Sequence, residues 1–449
     1  MLFDFIRRLH LALPHRLKCA QTGAWSNAGP AARETRQTIR YLDVNVANEL
    51  QQKLAVWFAG NARELPWRRS GDPYAIWVSE IMLQQTRVDT VIPYYHRFLA
   101  AFPDVQALAH APEERLMKLW EGLGYYRRAR NLQTAARVLA TERGGRFPES
   151  AEEWRRLPGI GRYTAAAIAS IAQGERVAVL DGNVKRVLAR LYAIEKPVDD
   201  RAVEQKLWRL AESLVPSENP GDHNQAIMEL GATICLPRQP RCGECPLREK
   251  CKALLEGKAA ALPIRIPKRK VPHKVAAAAV IRRSDGAILL EKRASHGLLG
   301  GLWELPCCEV AGGMKPEEAL EGFLKERFGL DSAVGIPLCT ARHAYSHFTI
   351  AVQAFEVVIR SESLAMSPMG AGKAMVDSVH PTGSGRDRQT LESAPPLDTP
   401  PAASRNISFE HSGRTLAWVE LSSDPPFALH RVMQKILGGL KAAKGTLPL

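Results

Sequence analysis

Residues 157–168 read LPGIGRYTAAAI, and how this stretch is understood decides the fold. Pro158 and Gly159 cannot continue a helix, while Gly159 and Gly161 allow a sharp turn and a close approach of bare backbone to another molecule. The alanine-rich run from Ala165 then predicts a helix, and a helix N-terminus offers free N–H groups to an anion. On its own the stretch is equally an ordinary corner between two helices. Its surroundings have to choose.

Outward from it, residues 46–255 read as helix after helix. Apolar residues recur at three- and four-residue spacing, as at Leu116, Leu119, Trp120 and Leu123 or Val184, Val187, Leu188 and Leu191, with breakers at Pro103, Gly144-Gly145 and Pro197. This predicts an all-α domain over 45–257. The Pro-punctuated, basic stretch 258–273 is expected to be a linker. Beyond it the period shortens. Residues 275–281 and 287–291 are expected as two strands about the turn Ser284-Asp285-Gly286, 317–328 as a helix, and 348–359 and 415–421 as further strands. That makes a smaller α+β domain over 274–445. Within it, 361–406 has no Phe, Trp or Tyr and is rich in Pro, Ser and Gly, so a disordered insertion is expected there. Residues 1–44 are expected to be an irregular, basic N-terminal extension.

Composition narrows the function. With 45% apolar and 24% charged residues, a chain of 449 can bury a sizeable core. No run approaches the roughly 18 apolar residues of a membrane helix, and no cleavable signal peptide is evident, so no membrane partner is expected. Lys and Arg total 61 against 47 Asp and Glu, a net charge of +14 that favours a polyanionic partner, nucleic acid above all. Of the 8 cysteines, four crowd into 235–251 while the rest are scattered. That placement speaks for a metal or iron–sulfur site rather than a disulfide frame.

The cysteines follow the pattern Cys235-x6-Cys242-x2-Cys245-x5-Cys251. Four thiolates this close can wrap one cubane cluster, and structural zinc is the rival. Arg238, Arg241, Arg248, Lys250 and Lys252 in the same loop would suit phosphate contacts or simply face water. In Leu180-Asp181-Gly182-Asn183, Asp181 precedes a helix whose dipole favours the carboxylate anion, although Asp in that place is commonly just a cap. Glu80 has the opposite setting, with apolar residues on nearly every side of IWVSEIML (76–83). Burial raises a carboxyl pKa and makes it a proton donor near neutrality. Two carboxyl groups whose surroundings push their pKa values apart are what cleavage of a glycosidic bond requires: one protonates the leaving group and the other steadies a cationic sugar.

Taken together, SEIMLQQT at 79–86, LPGIGRYTAAAI at 157–168, LDGNVKR at 180–186 and the cysteine loop resemble the helix-hairpin-helix DNA glycosylases, most of all the MutY adenine DNA glycosylases. The resemblance runs from about Leu50 to Leu421 without the insertion. It implies a double-stranded DNA partner with adenine opposite 8-oxoguanine or guanine, from which the adenine is flipped and hydrolysed off. It further implies that Glu80 protonates the adenine ring, that Asp181 stabilises the sugar cation, and that Tyr163 and Asn183 line the same pocket. Trp67, Arg68 and Glu229 would border that pocket, Gln85 and Tyr125 would wedge into the duplex, and Gly159 and Gly161 would take the DNA backbone. Cys235, Cys242, Cys245 and Cys251 would hold a 4Fe-4S cluster. Tyr163 stands where the endonuclease III-like relatives carry a Schiff-base lysine. Tyr forms no imine, so base removal without efficient strand cleavage is expected.

The C-terminal domain resembles the Nudix fold. Of the adjacent glutamates of a Nudix metal box only Glu326 remains, and Arg327 beside it would repel a divalent cation, so a Nudix hydrolase activity is not expected. Tyr345-Ser346-His347 stands where the MutY version of this domain reads 8-oxoguanine through a Phe-Ser-His-type loop, which makes Ser346 and His347 the expected readers. Two competing functions remain: an endonuclease III-like pyrimidine-lesion glycosylase/lyase, and a lesion-binding protein without catalysis. A monomer acting in the cytoplasm, at the nucleoid in a bacterium, is expected.

Overall fold

A computed structural model of the protein describes residues 44–267, 270–295, 297–360, 408–411, 413–421 and 424–444. The expected insertion 361–406 and all but the last residue of the expected N-terminal extension 1–44 lie outside the described residues.

The first half is helical: α1 (Val44–Asn61), α2 (Pro73–Leu83), α3 (Val88–Ala101), α4 (Val105–His110), α5 (Glu113–Trp120), α6 (Arg127–Glu142), α7 (Ala151–Trp154), α8 (Arg162–Gln173), α9 (Gly182–Leu191), α10 (Arg201–Leu214), α11 (Pro220–Thr233) and α12 (Lys252–Leu255). Short polar residues start several of them, as Asp72 does for α2 by accepting from the amides of Tyr74 and Ala75. Two apolar cores result. One gathers α2 to α8 around Trp77, Phe98, Trp120 and Trp154. The other gathers α1 and α9 to α11 around Leu54, Val184, Leu188 and Leu207.

Helix α8 belongs to both cores. Ala165, Ile168 and Ala169 face the first, while Ala166 and Ala167 face the second. This explains its composition, because only small side chains let one helix lie closely against neighbours on two sides. The turn ahead of α8 separates the roles of its glycines. Gly159 has a φ of +78°, and a Cβ there would stand 2.5 Å from that of Asn131, so the turn itself demands glycine. Gly161 has an ordinary φ of −87° and starts α8 without a side-chain cap. A Cβ on it would meet nothing within 4 Å, which leaves its backbone open to an outside ligand.

The second half builds two four-stranded sheets from β1 (His273–Ile281), β2 (Ile288–Lys292), β3 (Trp303–Glu304), β4 (Cys307–Glu309), β5 (Ser332–Ala344), β6 (Thr349–Ile359), β7 (Ser408–His411) and β8 (Arg414–Val419). Their orders are β4-β1-β6-β5 and β3-β2-β8-β7. Strand β1 pairs parallel to β6, and the second sheet is antiparallel throughout. The two strands expected about Asp285 both form. The turn forms, with the Gly286 amide donating to the Arg283 carbonyl and one bridge between Arg282 and Ile288, but β1 and β2 then part into different sheets. Both strands are apolar on both faces and can be buried only between layers. Alternate residues of β1 accordingly face opposite ways. Ala276, Ala278 and Val280 meet the C-terminal helix α14 (Arg431–Lys444) through Val432 and Ile436, whereas Ala277, Ala279 and Ile281 meet α13 (Pro316–Phe328) through Leu320 and Leu324.

The halves are docked on each other. Leu302 and Ala428 of the sheet domain join the first helical core. Lys292 pairs with Glu114 at 2.7 Å and Lys118 with Asp424 at 3.0 Å, and Arg130 donates to the Gly300 carbonyl. The start of the stretch expected as a linker is docked too. Ala259 and Leu262 are buried, Arg190 Nε donates to the Leu262 carbonyl at 2.8 Å, and the Val198 amide to that of Ile264 at 3.0 Å. Among the described residues no helix is long and apolar enough to cross a membrane.

Candidate active site

Helix α2 is buried on all sides from Tyr74 to Met82, and Glu80 sits in this stretch at 6% exposure. Desolvation pushes its carboxyl up to about 7, the nearby Asp181 charge adds to the rise, and Tyr163 and Arg68 oppose it. Tyr163, in the first turn of α8, donates its hydroxyl to Glu80 Oε2 at 3.1 Å and lies 3.2 Å from Met228 Sδ of α11. Burial and the two neighbouring carboxyl groups keep the Tyr163 phenol well above its ordinary value.

Asp181 caps α9. Its Oδ1 accepts from the amides of Asn183 (2.9 Å) and Val184 (2.7 Å), and its Oδ2 from the Asn183 side chain (2.9 Å). The helix dipole is expected to favour the anion here, and burial works against it. Burial raises Asp181 above its ordinary value despite these three donors. Both carboxyl groups are thus shifted upward by the same cause. They differ in how many donors resist the shift: three around Asp181 and one, from Tyr163, on Glu80. Glu80, Tyr163, Asp181 and Asn183 come from three helices and meet where the two cores adjoin.

Asn183 is itself held. Its Oδ1 accepts from Arg186 Nη2 at 2.9 Å, and the same guanidinium donates to the carbonyls of Gly231 (2.6 Å) and Cys235 (2.6 Å). A Cβ at Gly231 would come within 2.6 Å of the Asn183 Cβ, so α11 reaches α9 only because that residue is glycine. Asn224 fixes the approach to Asp181 by accepting from the Val179 amide and donating to the Val177 carbonyl.

Trp67 is buried edge-on to Tyr95 at 5.5 Å. Arg68 lies over the Phe58 ring at 5.2 Å and is near enough to Glu80 to favour its anion. Glu229 is fully paired. It is 1% exposed, and its oxygens accept from Arg63 Nε (2.6 Å), Arg63 Nη2 (2.8 Å) and Arg68 Nη2 (2.9 Å), which hold the carboxyl below its ordinary value. It ties the loop carrying Trp67 and Arg68 to α11. Lys185 pairs with Glu204 at 2.7 Å, which occupies the amine nearest the reacting carboxyl groups in sequence.

Gln85 and Tyr125 are exposed on separate loops and share an unusual backbone, with φ of 57° and 48°. Left-handed conformations are uncommon outside glycine and need support from the surroundings. The buried guanidinium of Arg128 supplies it. Its Nη1 donates to the carbonyls of Ile81 (2.8 Å), Met82 (2.8 Å) and Gln84 (2.7 Å), and its Nη2 to those of Leu123 (3.2 Å) and Gly124 (3.1 Å) and to Thr86 Oγ1 (3.2 Å). One side chain thus clamps both loops, at the expense of burial that lowers its own pKa to about 10. Sequence reading missed Arg128, Met228, Arg63 and Arg186. Arg128 shares one face of α6 with the buried Leu132, Ala135 and Leu139, a placement that the neighbouring Arg127 and Arg130 mask in the sequence.

Cys235, Cys245 and Cys251 pack against the second helical core. Burial and the three neighbouring sulfurs push the Cys245 thiol up to about 11. Arg190 donates to Cys235 Sγ at 3.2 Å and to the Leu236 carbonyl at 2.7 Å. The four thiols are neighbours, and among the described residues no group of three or more His, Cys, Asp or Glu side chains is placed to hold a metal ion. The donor set nonetheless suits a thiophilic group: partly buried sulfurs that a bound cation would ionise, with a guanidinium to offset the anionic charge. Of the loop cations, Lys250 pairs with Glu49 of α1 at 2.8 Å.

In the sheet domain, Ser346 and His347 are exposed on the turn between β5 and β6, with Ser346 Oγ 3.2 Å from His347 Nδ1. The turn closes through the Tyr345 amide and the Phe348 carbonyl at 2.8 Å. Arg327 donates to the buried Glu291, which Arg414 also meets at 3.1 Å. Glu291 is thus a buried carboxylate shared between two arginines.

The HhH-GPD superfamily of base excision DNA repair proteins matches residues 78–213, and the NUDIX domain matches 277–382. An adenine DNA glycosylase of Homo sapiens is 36% identical over 394 residues, covering 74% of this chain and 71% of its own. That of Buchnera aphidicola subsp. Acyrthosiphon pisum (strain APS) is 35% identical over 295 residues, covering 66% and 82%. The solved structure of a thermostable thymine-DNA glycosylase overlaps 49% of this chain and 99% of its own at 29% identity, with a TM-score of 0.43. With its helical repair domain and its Nudix domain in this order, the chain belongs to the adenine DNA glycosylase family of base excision repair.

Proposed function

We propose that the protein removes adenine mispaired with 8-oxoguanine or guanine in duplex DNA, without cutting the strand. The observation that carries this reading is the meeting of Glu80, Tyr163 and Asp181. With its pKa near 7, Glu80 is partly protonated at neutral pH and has an aromatic hydroxyl to orient it. The flipped adenine accepts that proton on its ring, and the N-glycosidic bond breaks with its electron pair leaving on the base. Asp181, as the anion its three donors favour, faces the electron-poor sugar. Water then adds to the anomeric carbon and its spare proton returns to Glu80. Tyr163 offers no amine to capture the sugar, so an abasic site is released with the strand intact.

Gln85 and Tyr125 serve as wedges, held ready by Arg128, while Ser346 and His347 read the base opposite. The bare backbone at Gly161 takes a phosphate. Cys235, Cys242, Cys245 and Cys251 would carry a 4Fe-4S cluster, whose contribution is to fix the loop after α11. The working form is a monomer on DNA in the cytoplasm, at the nucleoid in a bacterium.

The test is a single-turnover incubation with a duplex carrying adenine opposite 8-oxoguanine, analysed with and without alkali. Nicks should form only after alkali, and Glu80→Gln should abolish them. Nicking without alkali points to a lyase, and tight binding with the adenine intact points to a reader without catalysis. Either overturns the proposal.

A further inference from the structure

The loop that carries Tyr125 is gripped by a single residue of the other domain. Leu429 lies in the segment between β8 and α14. Its amide donates to Glu121 Oε1 at 2.9 Å, and its carbonyl accepts from the Tyr126 hydroxyl at 3.3 Å. Glu121 and Tyr126 flank residues 122–125, so the grip closes on both ends of the loop. The Tyr126 hydroxyl also accepts from the Gly122 amide at 3.3 Å, and Lys118 pairs with Glu121 Oε2 at 2.8 Å.

Leu429 is fixed within its own domain as well. It bridges to Trp303, whose amide donates to the Ala428 carbonyl at 2.9 Å, and His430 meets the buried Glu304 at 3.1 Å. Tyr345, which opens the Tyr345-Ser346-His347 turn, packs against the same apolar cluster that holds Leu429. Both contacts on Leu429 use main-chain atoms. They depend on where that segment sits and not on which side chain it carries. Hydrogen bonds to a buried peptide group are short-ranged and directional, so a shift of the sheet domain changes the loop directly.

We propose that Leu429 couples the two DNA-facing loops, with Glu121 and Tyr126 as positioning residues that set the Tyr125 wedge according to the seating of the lesion-reading domain. This rests on the reading of Tyr125 as wedge and of Ser346 and His347 as readers. Discrimination of the base opposite adenine would then be partly exercised through the wedge.

The experiment uses the full chain and its Glu121→Ala, Glu121→Gln, Tyr126→Phe and Lys118→Met variants, in single-turnover excision of adenine opposite 8-oxoguanine and opposite guanine. Losing one acceptor should cut the preference for 8-oxoguanine by about three- to tenfold in Glu121→Ala. Most of the loss should fall on the 8-oxoguanine duplex. Glu121→Gln keeps an acceptor oxygen and should restore the preference, Lys118→Met should retain it, and Tyr126→Phe should reduce it. Equal loss on both duplexes would reveal a merely structural contact and overturn the coupling, as would an unchanged ratio. Amide hydrogen exchange without DNA supplies an independent readout: residues 122–126 should exchange faster in Glu121→Ala than in Glu121→Gln, and equal exchange overturns the coupling. Failure of the unaltered protein to excise adenine from either duplex counts against the proposed function instead, and the exchange result then decides the coupling by itself.

Discussion

Replacing Tyr163 by Phe should move the alkaline limb of the pH–rate profile upward. The Tyr163 hydroxyl donates to Glu80 Oε2 at 3.1 Å and so stabilises the charged carboxylate against its acid. A hydrogen bond to a charged group contributes about 1.5–3 kcal/mol. Its loss therefore raises the Glu80 pKa by roughly one to two units at 1.36 kcal/mol per unit. In the proposed mechanism Glu80 acts as an acid, so excision falls as pH rises through its pKa, which lies at about 7 in the unaltered site. The variant should retain its rate to a pH one to two units higher (a consequence of the shift just given). Tyr163 itself stays neutral throughout, because burial and two carboxyl groups hold its phenol well above the ordinary value. The assay is single-turnover excision of adenine opposite 8-oxoguanine in constant-ionic-strength buffers, with binding followed separately so that loss of affinity is not mistaken for loss of rate. An alkaline limb that stays in place or moves down would refute the role of Glu80 as the titrating acid, whatever happens to the absolute rate.

Asn183→Ala removes one of three donors to Asp181, so its carboxyl should rise further and the acid limb of the same profile should move up by about one unit. Arg128→Ala strands several buried carbonyls and should lower the unfolding free energy by at least about 3 kcal/mol in urea titrations, with Arg128→Lys recovering only part because an ammonium cannot span both loops. Glu229 has a folded pKa below its ordinary 4.5, so its contribution to stability is full above that value and is lost as pH falls through the lower, folded one. Glu229→Gln should therefore flatten acid unfolding in that window and cost roughly 2–3 kcal/mol at neutral pH, a figure reduced because Arg63 is partly exposed and returns to water.

The parts of the site that sequence could reveal are those whose signal is local. Glu80 stood out because a carboxyl group is seldom buried in a helix apolar on all sides unless it has work to do there, and Asp181 because a short acid before a helix has a defined geometry. Arg128 did not stand out, since Arg127, Arg128 and Arg130 look alike in composition and only tertiary placement decides which one is buried. The separation of β1 from β2 was equally hidden. A tight turn between two apolar runs marks both strands without saying which sheet each joins, and that is set by the pairing of β1 with β6 and of β2 with β8, each many residues away. Helix α14 escaped notice because its apolar positions Val432, Met433, Ile436, Leu437 and Leu440 are interrupted by Gly438 and Gly439, which read as a break.

Depth alone does not separate the proposed proton donor from the proposed anion. Glu80 and Asp181 are both desolvated, and burial shifts both upward. The distinction comes from the backbone. A helix starting at Gly182 must leave its first amides unpaired, and Asp181 occupies the cap position where two of them point at one oxygen. Glu80 lies in the interior of α2, where the amides are consumed by the helix itself, so its stabilisation is left to a side chain, Tyr163. Exchanging the roles of the two acids would require moving a helix terminus, whereas tuning the acid requires changing one hydroxyl. Substitutions around Glu80 should accordingly shift the working pH of the enzyme, as loss of the Asn183 side chain does for Asp181, while those that unwind the first turn of α9 should remove activity across the whole range.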